Sequence, residues 1–371
     1  MNLSYWEYKT WLSDIDFTIV GSGIVGLSCA LTLRDRFPKA RILVLEKGIL
    51  PQGASTKNAG FACFGSISEI LSDLEVHGRD EVYQLVEKRW LGIQSLRKNL
   101  GDQALDFQPN GGHELFMDAK EDLYQNCLAG LDDVNRLLKP IFKTDAFVSQ
   151  SNRFGFKGIK EQYISNILEA QIDTGKMMEA LIQKVQSKNI KILNAIEVQD
   201  FQENSGSVDV KTNAFEFKTN KLLIATNGFA AQLVGESVLP ARAQVVITKP
   251  IQDLQIKGTF HLDEGYYYFR NINDRILFGG GRNLDFKAEE TYEQGTTPKV
   301  QRQLENMLQT IILPHTKFEI DQRWSGIMGV GNVKTPLLKA LSENVFCGVR
   351  LGGMGVAIGS HIGKELAELS V

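Results

Sequence analysis

Cysteine and histidine are scarce in this chain of 371 residues, and their copies are scattered. The four cysteines, Cys29, Cys63, Cys127 and Cys347, have neither the close spacing of a zinc site nor that of a redox motif. Widely spaced cysteines are typical of reduced thiols in a cytoplasmic protein. The five histidines also form no ligand-like spacing, so we expect no metal centre and no Ser-His-Asp triad.

Long apolar runs and an excess of charge of one sign are missing too. No stretch approaches the roughly 18 apolar residues of a membrane-spanning helix, and the first residues lack the basic and apolar regions of a signal peptide. Lysine and arginine number 41 against 44 aspartates and glutamates, which gives a net charge of −3. We therefore expect no membrane span and no nucleic-acid partner.

Glycine is abundant instead, with 34 copies, and its first cluster follows a predicted strand. The apolar run 17–20 predicts a strand, the tract 21–26 reads GSGIVG, and 27–36 predicts a buried helix that ends before Pro38. A second apolar run, 41–46, predicts a parallel strand. Strand, helix and strand form a βαβ unit, the setting in which a glycine tract binds a dinucleotide.

Each position of the tract has a physical role in that setting. Gly21 permits the tight turn, Gly23 lets the backbone approach a pyrophosphate, and Gly26 lets the helix pack closely on the strand. Glu46 follows Gly26 by 20 residues, where a carboxylate accepts hydrogen bonds from both hydroxyls of an adenosine ribose. The tract with Ser22, Ile24 and Val25 therefore predicts a dinucleotide site, without separating NAD from FAD.

The segment 53–61 is small and polar, and it reads GASTKNAGF. Ser55 and Thr56 have hydroxyls that can bond phosphate or ribityl oxygens, while Ala59 and Gly60 leave room for a flat ring. An ordinary loop has the same composition, so these residues alone leave both readings open.

Parallel-type strands recur at the start, middle and end of the chain, with antiparallel patterns between them. We predict an α/β fold in which a Rossmann-like, doubly wound sheet binds the nucleotide and an antiparallel α+β domain is inserted. The predicted cofactor domain comprises 1–75, 161–240 and 321–371, and the predicted substrate domain comprises 76–160 and 241–320. Within them we predict a helix over 119–139 ended by Pro140, a hairpin over 206–219 and a separate strand over 222–226.

From about Asp16 onwards the chain resembles the D-amino-acid oxidase and glycine oxidase family of FAD-dependent oxidoreductases. The resemblance rests on GSGIVG, EKG at 46–48, GASTKNAGF, DTG at 173–175, IATNG at 224–228, RWSG at 323–326 and the closing GGMGVAIG. It implies that 21–26 bind the ADP half of FAD and that 55–61 lie along the pyrophosphate, ribityl chain and flavin. Together these observations predict a cofactor set of residues 21–26 with Glu46, Lys47, Gly53, Ala54, Ser55, Thr56, Asn58, Ala59, Gly60, Phe61, Val198, Ala225, Thr226, Trp324, Gly326, Gly352, Gly353, Met354, Gly355 and Val356.

The closing loop, Gly352 to Val356, matches the family's loop beneath the pyrimidine end of the flavin. A glycine-rich loop that opens a helix offers free N–H donors and the positive end of the helix dipole, which oppose negative charge on reduced flavin. A plain strand–helix turn is the alternative interpretation.

The chain also departs from its resembling family. Met328 stands where glycine oxidase has a substrate-binding arginine, and no cysteine follows Trp324 in the region that tethers flavin in sarcosine-oxidase-type relatives. We therefore expect non-covalent FAD. Substrate-pocket candidates are Tyr266, Tyr268 and Arg270, which share one face of a predicted strand, and Arg350, which precedes the closing loop.

These observations predict an FAD-dependent enzyme that oxidises a C–N bond of a small amine or amino acid. The substrate's α C–H passes a hydride to flavin N5, the imine hydrolyses, and O2 reoxidises the flavin to give H2O2. Three alternatives stay open: a flavoprotein that passes electrons to a quinone or protein, an NAD-dependent dehydrogenase, and a non-catalytic flavin-binding module.

Overall fold

The computed structural model describes residues 2–371, which form two eight-stranded sheets and a two-stranded ribbon. The strands are β1 (Ile15–Val20), β2 (Ile42–Leu45), β3 (Phe61–Ala62), β4 (Gly112–Leu115), β5 (Phe147–Ser151), β6 (Gln162–Asn166), β7 (Ala170–Gln171), β8 (Lys191–Leu193), β9 (Val198–Asn204), β10 (Ser207–Thr212), β11 (Glu216–Ile224), β12 (Leu239–Thr248), β13 (Thr259–Leu262), β14 (Tyr267–Ile272), β15 (Arg275–Gly280), β16 (Ile320–Val330), β17 (Leu337–Ala340) and β18 (Val345–Val349). The α-helices are α1 (Tyr5–Glu7), α2 (Ile24–Arg36), α3 (Ala54–Lys57), α4 (Ile67–Val76), α5 (Arg79–Leu100), α6 (Asp102–Leu105), α7 (Glu121–Phe142), α8 (Thr174–Ser187), α9 (Pro298–Met307) and α10 (Gly355–Leu369). Short 3-10 or π-helical turns lie at Tyr8–Leu12, Asn227–Gln232, Arg282–Leu284 and Leu308–Ile312.

The first sheet has the strand order β17-β18-β11-β1-β2-β8, and its strands from β18 to β8 run parallel. β1, α2 and β2 form the predicted βαβ unit. Side chains of β1 and β2 alternate between two apolar cores: Ile19 and Val44 pack with helices α2, α8 and α10, while Val20 and Leu45 pack with strands β9 and β10. The predicted α/β class, a parallel sheet with an inserted antiparallel region, is confirmed.

Two local predictions were wrong. The separate strand over 222–226 is wrong, because β11 is one strand over Glu216–Ile224 whose alternating half continues directly into its buried half. The predicted hairpin over 206–219 is present, since β10 pairs antiparallel with the first half of β11, from Val208 opposite Thr219 to Lys211 opposite Glu216. Pro140 does not end its helix, which continues to Phe142. Phe142 packs its ring against Phe64 and Trp90, with centroid distances of 4.5 and 5.2 Å, and these contacts hold the last turn of α7 despite the missing N–H.

The second sheet has the order β16-β12-β15-β14-β13-β4-β6-β5, and all its pairs are antiparallel except β13 with β4. Helix α9 covers it through Val300 and Leu304. The sheet includes β6 and β16, which the predicted boundaries assign to the cofactor domain, so that division stays a prediction. Among the described helices, none has both the length and the apolar composition needed to cross a membrane.

Candidate active site

A cleft of about 1190 Å3 opens at the carboxyl ends of β1 and β2 and extends to the second sheet. Ligands of open α/β sheets bind at this edge, and the volume exceeds the roughly 300–1000 Å3 of a usual small-molecule pocket. Every residue of the predicted cofactor set lines the cleft except Gly26, Thr56 and Trp324. Of the substrate candidates, Tyr266, Tyr268 and Arg350 line it and Arg270 does not.

The glycine tract turns sharply from β1 into α2. Gly21 has a φ of +105°, and its N–H donates to the carbonyl oxygen of Leu45 at 2.8 Å. A Cβ on Gly26 would lie 2.0 Å from the carbonyl oxygen of Gly21, so only glycine permits this contact of helix and turn. Gly26 therefore shapes the cleft from behind, while the N-terminus of α2 opens into it.

Ser55 connects the 53–61 loop to the glycine tract. Its Oγ accepts a hydrogen bond of 3.0 Å from the N–H of Ile24, in the first turn of α2. The hydroxyl proton of Ser55 is then available to a phosphate oxygen. A Cβ on Gly23 would lie 2.8 Å from the same Oγ, which keeps this position open to close approach.

Glu46 is buried at the end of β2 and supports the turn as well as the cleft. Its Oε2 accepts bonds from the N–H and hydroxyl of Ser22, at 3.1 and 2.7 Å, and its Oε1 accepts a 2.9 Å bond from the N–H of Gly48. A carboxylate has about four acceptor positions, so one on Oε1 is left for a ribose hydroxyl. Lys47 beside it forms an ion pair with Glu197 at 2.6 Å.

Several polar side chains of the 53–61 loop hold the loop itself. The hydroxyl of Thr56 donates to the carbonyl oxygens of Pro51 and Gly53, which corrects its predicted role at the cofactor. The predicted role of Trp324 at the cofactor is corrected likewise, because Trp324 lies behind the loop and donates its Nε1–H to the Lys57 carbonyl oxygen at 3.0 Å. The loop is thus pinned from behind and presents mainly backbone to the cleft.

Asn58 acts in the same way, although it lines the cleft. Its amide NH2 donates to the carbonyl oxygens of Ala54 and Ser55, and its Oδ1 accepts from the N–H of Gly60 and the hydroxyl of Thr174. All its strong bonds are therefore internal to the fold.

The middle of the cleft contains an unsatisfied polar atom. The Thr226 hydroxyl is buried, lines the cleft and has no hydrogen-bond partner in the described chain. Buried polar groups normally have a partner, so this atom fits a site that a ligand completes. Ala225 precedes it at the end of β11, and Val198 begins β9 on the side of Glu46.

The closing loop offers a group of free donors. Over residues 2–371 the N–H groups of Gly353, Gly355, Val356 and Ala357 have no partner, and the first N–H bond of α10 is that of Ile358. The loop is fixed from outside, since Leu351 N–H donates to Asn227 Oδ1 at 3.0 Å and Gly352 N–H to the Gly329 carbonyl at 2.9 Å. Free N–H groups at the start of a helix suit an electron-rich ligand edge.

Arg270 occupies a different place from the one predicted. It shares a strand face with Tyr268, as the alternation indicates, but this face meets the 53–61 loop. Its Nη1 donates to the carbonyl oxygens of Gly60 and Ile172 at 3.1 and 2.6 Å, and burial lowers its pKa to about 10. Arg270 therefore holds the 53–61 loop and does not line the cleft, contrary to its prediction as a substrate-pocket residue.

Arg350 stands at the mouth of the closing loop with a φ of +63°. Its guanidinium is 3.3–3.5 Å from the carbonyl oxygens of Thr335 and Ser237, and no carboxylate of the described chain pairs with it. Met328 lies next to the loop, because its sulfur is 3.8 Å from where a Cβ of Gly353 would be.

The wall facing the closing loop contains a buried dyad that sequence reasoning missed. Glu169 Oε1 is 2.7 Å from His261 Nε2, and it also accepts a bond from the hydroxyl of Thr259. Burial alone would lower the pKa of His261, but the charge and hydrogen bond of Glu169 outweigh it and raise the pKa to about 9. His261 lines the cleft as a cation at neutral pH. The two residues are 92 positions apart, so no spacing pattern indicates the pair.

Cys63 adjoins this dyad, and its sulfur is 3.7 Å from the sulfur of Met354. Ligand atoms of Cys63, Glu169 and His261 all lie within 4.8 Å of one another, a cluster that the sequence spacing did not indicate. Burial raises the pKa of Cys63 well above its usual range.

A parallel sheet with a glycine-rich turn, a strand-end carboxylate and free helix N-termini at one cleft defines a dinucleotide-binding protein. The family described as FAD dependent oxidoreductase matches residues 16–369. The chain therefore belongs to this family of FAD-dependent oxidoreductases, and the match favours FAD over NAD.

Known proteins and structures resemble the chain over nearly its whole length. The probable oxidoreductase OrdL of Haemophilus influenzae is 21% identical, over 97% of this chain and 83% of that protein. The crystal structure of L-proline dehydrogenase from P. horikoshii has a TM-score of 0.76 and 18% identity, with 96% and 93% of the two chains covered. Glycine oxidase from Bacillus cereus ATCC 14579 has a TM-score of 0.73 and 17% identity, with 96% and 94% covered.

Proposed function

We propose that the protein oxidises a C–N bond of a small amine or amino acid and uses O2 as electron acceptor. Bound FAD would supply the redox chemistry, taking a hydride from the substrate's α carbon at N5 and returning two electrons to O2 as H2O2. The imine product then hydrolyses in water. The solved relatives whose names specify L-proline dehydrogenase and glycine oxidase support this substrate class.

The observation that carries the proposal is the continuity of the cleft. One cavity joins the glycine tract, the unpartnered donors of the closing loop and the wall with His261 and Tyr268. We propose that the tract, Ser55 and Glu46 hold the ADP half, that the 53–61 loop follows the pyrophosphate and ribityl chain, and that the closing loop contacts the flavin. The second sheet then faces the substrate.

Two further features support non-covalent FAD in a reduced compartment. Cys63 is the cysteine that lines the cleft, and its raised pKa keeps the sulfur protonated. A protonated thiol is a poor nucleophile for attack on flavin. All four cysteines are buried and unpaired, which agrees with the proposed cytoplasmic location.

An anaerobic screen of amines and amino acids, followed by flavin absorbance, tests the function. We expect one class to bleach the flavin, and admission of air to restore the colour with one H2O2 per substrate oxidised. Bleaching that air does not reverse but a quinone does would move the acceptor to a quinone. FAD-loaded protein that no amine or amino acid bleaches would contradict the proposed substrate class.

A further inference from the structure

Arg89, on helix α5, is a buried cation at the cleft wall, and none of the predicted cofactor contacts involves it. It is 5% exposed and lines the cleft. Its Nη1 donates to the carbonyl oxygen of Phe64 at 3.0 Å. Its Nε is buried with no partner, Nη2 has no hydrogen bond either, and no carboxylate in residues 2–371 lies within ion-pair distance. A buried charge without a counter-ion is strongly unfavourable, so this arrangement fits a site that an anion completes.

The packing of α5 places this guanidinium at the flavin end of the cleft. Gly92, one turn after Arg89, packs against α10 so closely that a Cβ would lie 2.0 Å from the carbonyl oxygen of Ala357. This contact is in the first turn of α10, where Gly355 and Val356 line the cleft and have unpartnered N–H groups. On the other side, Arg89 bonds the segment of Cys63 and Phe64, and Cys63 touches Met354 of the closing loop.

The free atoms of Arg89 also define the chemistry of the anion. Nε and Nη2 form one edge of the planar guanidinium, with two parallel N–H donors. This edge matches the two oxygens of a carboxylate, which accept parallel bonds from arginine.

We infer that Arg89 binds a carboxylate group of the substrate, so that the substrate is an amino acid rather than an uncharged amine. The inference rests on the proposed function, because it places an amino acid beside the flavin. It also gives a residue of α5 the substrate-binding role for which the sequence analysis named Arg270 and Arg350 as candidates.

Simple carboxylates and their neutral amides test this inference on FAD-loaded protein. Benzoate and benzamide, then acetate and acetamide, are titrated by calorimetry and by flavin absorbance. The variants are Arg89→Met, Arg89→Lys and Arg97→Met, which removes an arginine of the same helix outside the cleft. A hydrogen bond to a charged group contributes enough for an approximately 10- to 100-fold change in Kd.

We expect wild-type protein to bind benzoate more tightly than benzamide and Arg89→Met to raise the benzoate Kd about 10- to 100-fold. Arg89→Lys, which keeps the charge but not the paired donors, should give a smaller rise, and Arg97→Met none. Equal benzoate Kd in wild type and Arg89→Met would overturn the inference. An unchanged Kd in Arg89→Lys would do so if the methionine variant does not fold. Protein that takes up no FAD would instead contradict the proposed function, and calorimetry would still report carboxylate binding.

Discussion

Replacing Glu46 with glutamine tests the strand-end carboxylate. In the structure the carboxylate accepts three bonds of 2.7–3.1 Å from Ser22 and Gly48, which leaves one acceptor position for the ribose. The amide of glutamine has one acceptor oxygen and two donor hydrogens. It therefore cannot satisfy both Ser22 and Gly48 and still accept from a ribose hydroxyl.

The expected loss follows from these bonds. A hydrogen bond to a charged group contributes about 1.5–3 kcal/mol, so the FAD Kd of Glu46→Gln should rise roughly 10- to 100-fold. Thermal stability should also fall, because a buried N–H donor loses its partner.

Titration of apoprotein with FAD, followed by flavin fluorescence, measures the effect on affinity. Ser22→Ala serves as the matched control, since it removes one bond to Glu46 but keeps the carboxylate and its free acceptor position. We expect the Kd of Ser22→Ala to rise less than that of Glu46→Gln. A Glu46→Gln variant with wild-type FAD affinity would show that Glu46 only supports the turn.

Three other perturbations separate the remaining parts of the site. Gly353→Asp should be tolerated, since its Cβ meets only the sulfur of Met328 at 3.8 Å. At an effective dielectric of about 20, its negative charge roughly 6 Å from the flavin would oppose flavin reduction by about 3 kcal/mol, which lowers the two-electron reduction potential by about 60 mV. Formation of the flavin–sulfite adduct should therefore weaken, and an unchanged sulfite affinity would contradict this prediction. His261 has a pKa raised to about 9, so its stabilising charge is complete below about pH 6.5 and lost as the pH rises through 9. Melting temperature should therefore fall over that window more in wild type than in Glu169→Gln, and parallel curves would refute the dyad. Arg270→Met should weaken FAD binding by freeing the cofactor loop, and a change in substrate KM alone would contradict that role.

The cofactor half of the site could be predicted because its requirements are local. The tract around Gly21 and Gly26 reports a sharp turn and a close helix contact, and each needs glycine within a few residues. Glu46 follows from the length of a βαβ unit. These constraints act over short stretches of chain, so spacing in the sequence is enough to indicate them.

The substrate wall could not be predicted in the same way, because distant segments build it. His261 from β13 meets Glu169, which precedes β7, and neither neighbourhood shows a pattern. The face of Arg270 followed from alternation, but what this face meets is set by the packing of the loop. Arg89 did leave a signal: it is a charged residue between Leu85 and Ile93 on the buried stripe of α5.

The absorption spectrum of the purified protein tests the central claim, non-covalent FAD in this cleft, most directly. We predict a yellow protein whose flavin bands move into the supernatant on acid precipitation. The Thr226 hydroxyl and the N–H groups of Gly353, Gly355 and Val356 would then have the partner that the protein alone does not provide. Colourless protein that cannot be reconstituted with FAD, or flavin that stays with the precipitate, would contradict the claim.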